Sequence, residues 1–376
     1  MNIKQFNKLC RACDNILTSN DASEVTKSIP WLHVLNSHPT TLERYRGIFD
    51  SRTDRLYFIK SIILFLKNLV SGFSSLNYIS SFEESKPTDL LIISHLLNKD
   101  QIGMDEDFYF GRIPQDLNKN NISSQILLIN HTNIDIQKNI NKWSNQTTRR
   151  LLLTNKLKLF KEMGLLFKLV GQLFFLRKLA KSEQDISLKK IIKKASNAAI
   201  SYESISALRF MHQFEHVLRD INPKAVMVTY EGHSYERTVF HLARKFNPKI
   251  KCYGYQHTIL FPNQHSIKRS LDYNYDPNII FTAGLQTKNI LSKGYEGSNV
   301  SIFNIGHHRS SFSKELKDIP NKDKSLDCLV LPDGNIDECI DLCTFVLNTA
   351  NKNPQINFVI RLHPLNSIEM IINKNK

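Results

Sequence analysis

The sequence predicts an α/β protein built on a mostly parallel, doubly wound sheet. Three observations predict it. Short apolar runs ending in polar residues recur, as in Asp89-Leu90-Leu91-Ile92-Ile93-Ser94 and Gln125-Ile126-Leu127-Leu128-Ile129-Asn130-His131. Such runs suit strands buried on both faces of a parallel sheet. Helical patterns follow them, which argues strand–helix–strand units. Several runs deliver Glu, Gln, His or Arg to the carboxyl end of a strand, the edge where open α/β sheets bind ligands.

Composition narrows the class. A length of 376 residues is that of two domains or one large one. An apolar content of 41% and a charged content of 23% exclude wholesale disorder. A net charge of +15 favours anionic partners: nucleic acid, phosphate-bearing substrates or an anionic membrane surface. Cys10 and Cys13 form a lone C-x-x-C, and Cys339 and Cys343 lie four apart with no His pair at zinc-finger spacing. Buried thiols in a reducing cytosol are therefore expected rather than disulfides or zinc. Met1 to Asp14 lacks the apolar core of a signal peptide, and no apolar stretch is long enough to span a bilayer, so the sequence reads as cytoplasmic.

Along the chain, residues 1–84 read as a helical N-terminal segment, best formed over Tyr57 to Val70. Residues 85–306 read as a first sheet domain. Within it, residues 150–220 are predicted to be a helical insertion. Its first part, 150–182, mixes Arg149, Arg150, Lys156, Lys158, Lys161 and Lys168 with leucine and phenylalanine, the pattern of a basic helix on a membrane surface or of a core helix with one solvated side. Strands are predicted at Ala225–Tyr230, Lys251–Tyr255, Asn278–Thr282 and Val300–Ile305, with helices at Ser234–Phe246 and about Thr287–Lys293. Residues 307–324 read as a linker. Residues 325–376 carry two more strands, Leu326–Leu331 and Asn357–Ile360, around a helix from Asp337 to Asn351.

Three sites at strand ends carry chemistry. In Tyr230-Glu231-Gly232-His233-Ser234-Tyr235-Glu236-Arg237, Glu231 leaves a strand, Gly232 permits a sharp turn and Ser234 can cap the next helix. Glu231 is thereby placed as a candidate general base. Glu236, in the first helical turn, reads as dipole compensation or a core ion pair with Arg237. Gly254-Tyr255-Gln256-His257-Thr258 offers neutral donors and acceptors at the next strand end. Near the C-terminus, Leu331-Pro332-Asp333-Gly334 and Arg361-Leu362-His363-Pro364 end two strands, and Arg361 and His363 can supply charge and donors to a departing phosphate. A second His-Pro pair, His38-Pro39, follows no strand pattern.

Together, Tyr230-Glu231-Gly232 through Arg237, Gly254 through His257, Asn304-Ile305-Gly306 and Arg361 through Pro364 resemble bacterial surface-carbohydrate glycosyltransferases. These have a GT-B architecture of two Rossmann-type domains. The resemblance covers about residues 85–365. It implies a CMP-sugar donor, with the HP motif holding the CMP and an acidic-acidic-Gly motif supplying the base. Tyr230 stands where the first acid of that motif would be. The resemblance makes Glu231 the base and His363 the nucleotide-phosphate ligand; from the residues themselves His257 is added as a candidate catalytic residue, and Gln256, His233, Arg237 and His95 as candidate substrate contacts. His363, Pro364, Arg361, Gly306, Asp333 and Gly334 become the candidate nucleotide-binding set.

A complete Rossmann domain needs on the order of 120–150 residues. Residues 325–376 therefore read as a partial second domain, from a truncated chain, a pseudo-enzyme or a site completed by a partner chain. The reaction expected is inverting transfer of a CMP-activated sugar, Kdo or a nonulosonate, to a lipid-linked glycan at the inner face of the cytoplasmic membrane. Residues 150–182 would meet the anionic lipid surface. No metal or other cofactor is expected, and nucleic acid is not the expected partner. Two rivals remain: a CDP-glycerol or CDP-ribitol phosphotransferase, and a non-catalytic basic membrane- or RNA-binding protein.

Overall fold

The computed structural model describes residues 2–34, 45, 48, 63, 76–81, 87–132, 136–143, 146–261, 263–308, 326–363 and 366–374. The chain divides into two units, Met1–Ser311 and Phe312–Lys376. The first contains strands β1 (Tyr78–Ser80), β2 (Leu90–Leu96), β3 (Ser124–Asn130), β4 (Arg149–Leu153), β5 (Ala225–Thr229), β6 (Lys251–Gln256), β7 (Ile279–Thr282) and β8 (Ser301–Asn304). Its helices are α1 (Ile3–Thr18), α2 (Glu24–Ser28), α3 (Ile113–Lys119), α4 (Ile136–Asn139), α5 (Leu159–Ser182), α6 (Ile186–Ala198), α7 (Tyr202–Ile221), α8 (Ser234–Phe246) and α9 (Leu285–Gly294).

The strands form one sheet in the order β1-β4-β3-β2-β5-β6-β7-β8. Every pair is parallel except β1 on β4. The chain enters near the centre at β2, steps outward through β3 and β4, crosses back to β5 beside β2, and steps outward the other way. This is the strand order of a Rossmann-type fold.

The apolar runs behave as a doubly covered sheet requires. Leu91, Ile93, Leu127, Val226 and Val228 join one core with the inner faces of α5, α7 and α8. Their neighbours Leu90, Ile92, Ile126, Leu128 and Met227 join a second core on the other face, with Phe110, Ile140 and Trp143. Successive strand residues point to opposite faces, so an unbroken apolar run fills both cores at once. A third core joins α1 to α5 and α6 through Leu9, Cys13, Leu17, Leu176, Ala180 and Ile191. Cys10 and Cys13 are buried there, and burial with the neighbouring Asp14 carboxylate pushes the Cys10 thiol up to about 12.

Several boundaries differ from the sequence reading. The N-terminal segment is not helical throughout, because β1 pairs with the sheet edge. The predicted helix over Tyr57–Val70 lies outside the described residues apart from Ile63, as do His38-Pro39 and most of the predicted linker. Residues 150–220 are not an insertion: β4 belongs to the sheet, and α5, α6 and α7 form the crossover to β5. Nor does Arg150 belong to a surface helix. It is buried in β4, donates to the carbonyls of Thr148 and Asp105, and lies over the Trp143 ring.

The second unit contains β9 (Leu326–Val330), α10 (Ile336–Lys352), β10 (Ile356–Ile360) and α11 (Ile368–Lys374). β9 and β10 pair in parallel, with Leu326 opposite Ile356. Parallel neighbours need a crossover, and α10 supplies it. Asn335 caps α10 by accepting from the Asp337 amide at 3.1 Å. Val330, Cys339 and Val346 are buried, whereas Leu326, Leu329, Phe345 and Leu347 are exposed. Among the described residues, no helix is long and apolar enough to cross a membrane.

A buried ion pair ties the crossover together. Glu162 of α5 accepts from Arg209 of α7 through two contacts, 2.6 Å at Nε and 3.0 Å at a terminal nitrogen, and also accepts the Leu157 amide at 3.1 Å. Removing one partner of such a pair strands the other charge, at a cost of about 3–5 kcal/mol. Arg209→Leu is expected to lower unfolding stability by that amount in urea titrations. The double variant Glu162→Leu/Arg209→Leu is expected to recover most of it, and a double variant as unstable as the single would contradict this assignment.

Candidate functional site

The strand order reverses between β2 and β5, and the carboxyl edge at such a switch point is where open α/β sheets hold ligands. The residues ending β2, β3, β5 and β6 meet there. The turn from β5 into α8 is the most constrained part. Tyr230 is fully buried; a Cβ at Gly254 would meet its ring at 2.8 Å, and its hydroxyl lies 2.7 Å from that of Tyr295. The tyrosine occupying the position of an acid is thus a core residue. Gly232 follows with φ +86°, and a Cβ there would approach the Ser266 carbonyl carbon to 2.5 Å. Only glycine meets both demands.

The cap differs from the expected one. His233, in extended conformation, is the N-cap, and Ser234 is the first helical residue. The free amides are met by Glu236, whose carboxylate folds back to accept from the backbone of Glu231 at 2.9 Å, Gly232 at 2.7 Å and His233 at 2.8 Å. Of the two roles read for Glu236, dipole compensation or a core ion pair with Arg237, the ion pair does not form. Arg237 is fully buried, pairs with Asp276, and donates to the carbonyls of Ser266 at 2.7 Å and Arg269 at 2.9 Å. Its guanidinium holds the 266–276 loop, which replaces the expected substrate contact with a structural role.

Glu231 emerges from this turn with its side chain 19% exposed. One carboxylate oxygen accepts from the Thr258 hydroxyl at 2.8 Å, and the other lies 3.3 Å from His233 Nε2. Burial pushes the carboxyl up, but the hydrogen bond and charge of His233, the charge of His257 and the Thr258 hydrogen bond outweigh it and hold the group at about 2. Gln256 is buried and donates to the Thr258 carbonyl, so it fixes the turn that fixes Glu231. The expected substrate contact from Gln256 is accordingly a positioning one.

Beside the carboxylate lies a group of imidazoles and phenols. His95, at the end of β2, contacts His131 through Nδ1 at 2.9 Å, and Tyr235 and Thr229 through Nε2 at 2.9 and 3.2 Å. Tyr235 donates to Glu236 at 3.3 Å, which assigns the Nε2 proton to His95 and leaves its Nδ1 to accept from His131. Burial, then the nearby charges of His131, His233 and His257, push His95 down to about 3. Burial, then the charge of His233, pushes His131 down as well. Tyr109 packs edge-on against His257, with ring centroids 4.5 Å apart. Its loop is held by buried Asp107, which accepts from the Ser94 hydroxyl and from the Tyr109 and Phe110 amides, each at 2.9 Å.

The arrangement is one ionised, partly water-facing carboxylate beside ring donors and acceptors, of which His95 and His131 are held toward their neutral forms. It can take a proton from a hydroxyl and orient a polyhydroxylated ligand. Among the described residues, no group of three or more His, Cys, Asp or Glu is placed to hold a metal ion. A separate depression lined by Asp89, Ser123, Asn222 and Lys224 lies at the opposite, amino-terminal edge of the sheet, away from this chemistry.

Of the residues expected to act on substrate, the structure brings Glu231, His233, Gln256, His257 and His95 to one edge. Arg361 and His363 are exposed just beyond β10 in the second unit, with Asp333 and Gly334 beyond β9 at the same end of that parallel pair. The Asn366 side chain donates to the Asp333 carbonyl at 3.1 Å. Pro364 lies outside the described residues. Gly306 belongs to the first unit, beyond β8, with φ +84° and its carbonyl 3.3 Å from the Tyr255 hydroxyl. His131, Tyr109 and Tyr235 join the site without having been singled out. A signal existed for His131, which ends a strand just as His95 does; the Tyr109 loop carries no comparable pattern. Comparison with protein-family models gives no match, and comparison with curated proteins gives none either.

Two outcomes follow from this geometry. Unfolded histidine binds a proton near pH 6.5, whereas folded His95 stays neutral to about 3. Stability is therefore lost as pH falls from about 6.5 toward 3, by up to about 1.4 kcal/mol per pH unit for this group. Urea titrations across that range are expected to show a shallower loss in His95→Gln, and an unchanged slope would contradict the assignment. Gly232→Ala is expected to destabilise by well over about 1 kcal/mol in the same titrations, because strain and clash act together.

Proposed function

We propose that this chain is an inverting glycosyltransferase of bacterial surface-polysaccharide or lipopolysaccharide biosynthesis, transferring a CMP-activated sugar to a lipid-linked acceptor. The observation that carries the reading is Glu231: an ionised carboxylate at the switch point of a Rossmann-type sheet, open to water on one side and held by His233 and Thr258. An acceptor hydroxyl donating to Glu231 is positioned to attack. As its oxygen bonds to the anomeric carbon, the bond from that carbon to the CMP phosphate breaks, and the proton passes to Glu231. An acceptor covering the exposed side of Glu231 removes its remaining water, which raises its basicity from the low resting value toward the working range.

His95, His131, Tyr235 and Tyr109 supply neutral contacts for acceptor hydroxyls. On this reading the second unit recognises the donor, with exposed Arg361 and His363 meeting the charge that develops on the departing CMP phosphate. The GT-B architecture belongs to the same proposal, and its support is the Rossmann-type first unit together with the parallel strand–helix–strand second unit.

Glu231→Gln keeps the size and most hydrogen bonds of the side chain but cannot take the proton. It is expected to lower kcat by about 10²–10⁴-fold with an unchanged melting temperature. Full transfer by this variant would remove the base assignment. CMP is expected to raise the melting temperature of the native chain, and less so that of His363→Ala. A phosphodiester rather than a glycosidic product would replace sugar transfer with phosphotransfer.

A further inference from the structure

α5 has two apolar faces. Leu165, Leu169, Leu173, Leu176 and Ala180 are buried against the body of the protein. Phe160, Phe167 and Phe174 recur every seven residues on the other side, and they are 87%, 67% and 62% exposed. At 3.6 residues per turn this stripe lies opposite the buried one, with successive rings about 10 Å apart. Gly164 and Gly171 lie between the rings on the same stripe, and a Cβ at either would meet nothing within 4 Å. Each phenylalanine therefore projects from a helix face free of competing side chains.

Charge surrounds the stripe. Lys161 and Lys168 flank one side, Arg177 and Lys181 the other, and Lys178 continues the line of the rings; all are exposed. The one carboxylate within α5, Glu162, is turned inward onto Arg209. The exposed face of α5 thus presents cations and aromatic rings without an opposing charge. Neighbouring α6 adds exposed Lys189, Lys190 and Lys193.

We propose that this face docks the protein on an anionic lipid bilayer, with the three phenylalanines inserted at the headgroup–acyl boundary and the cations against lipid phosphates. Charge complementarity selects this occupant. A second copy of the same face would set lysine against lysine. A single-stranded nucleic acid is held in a groove with stacked bases, whereas these rings project from a convex helix. The placement also suits a membrane-borne substrate. α5 begins just beyond the carboxyl end of β4, so Phe160 emerges at the same edge of the parallel sheet as Glu231. The inference deepens the lipid-linked acceptor of the proposed function, but it is read by binding alone, so the two fail separately.

The test is sedimentation of the full chain with vesicles of phosphatidylcholine, with and without phosphatidylglycerol. Wild type is expected to partition onto the anionic vesicles and only weakly onto neutral ones. Phe160→Ser/Phe167→Ser/Phe174→Ser is expected to lose at least about tenfold in partitioning, with its circular dichroism melt retained. Lys161→Gln/Lys168→Gln/Lys181→Gln provides a second variant, expected to lose about fivefold per cation removed at low salt. Anionic vesicle binding that survives the phenylalanine changes overturns the proposal, as does the absence of such binding in wild type. Phenylalanine-dependent self-association, or phenylalanine-dependent binding of oligouridine without vesicle binding, would overturn it in favour of a second copy or an RNA.

Discussion

The site depends on one buried carboxylate. Glu236 folds back from the first turn of α8 and accepts three successive backbone amides, those of Glu231, Gly232 and His233. A hydroxyl cap satisfies one or two amides; a carboxylate reaching back satisfies three and pulls the turn tight. Burial and the nearby Glu231 charge push Glu236 up to about 7, against the His233 charge and the amides that favour its ionised form. The tight turn brings Gly232 against the backbone of Ser266, and Arg237 clamps that loop from the next residue of the helix. Glu231 is thus a partly exposed member of a segment whose Tyr230, Gly232, Glu236 and Arg237 are committed to structure.

The electrostatics of the site follow from crowding. Four histidines, His95, His131, His233 and His257, act on one another's charges near the end of β2. They cannot all be charged at this density, and burial disfavours charge further. The result is that His95 and His131 are held toward their neutral forms, while the hydrogen bond and charge of His233, the charge of His257 and the Thr258 hydroxyl keep Glu231 ionised. This locale differs in character from a chain of net charge +15. Excess positive charge lies elsewhere, including the outward side of the crossover helices.

The crossover itself shows why a basic, leucine-rich stretch is ambiguous. Membrane helix and core helix were set as alternatives for residues 150–182, but α5 has both a buried leucine face and an exposed phenylalanine–lysine face. Its apolar residues lie on two opposite sides, so they do not segregate as a single amphipathic stripe would. Part of the basic signal was never on the surface. Arg150 is buried in a strand.

Local pattern was enough to read the strands and the polar residues that end them. A strand buried on both faces is written locally, as an unbroken apolar run, and its last residue is read off directly; β2, β3, β5 and β6 were legible in this way, with His95, Glu231, Gln256 and His257 at or beside their ends. Gly232 and the α8 boundaries were legible for the same local reason. What the tertiary structure alone decided is which ends meet and which charges are internal. Strand order set His95 beside His131 and Tyr235, although 36 and 140 positions separate them along the chain. The structural role of Arg237 was hidden because its partner Asp276 lies 39 positions away, and the internal role of Glu162 because Arg209 lies 47 away. A buried charge is stable only with a partner, and no local pattern names a partner that far along the chain.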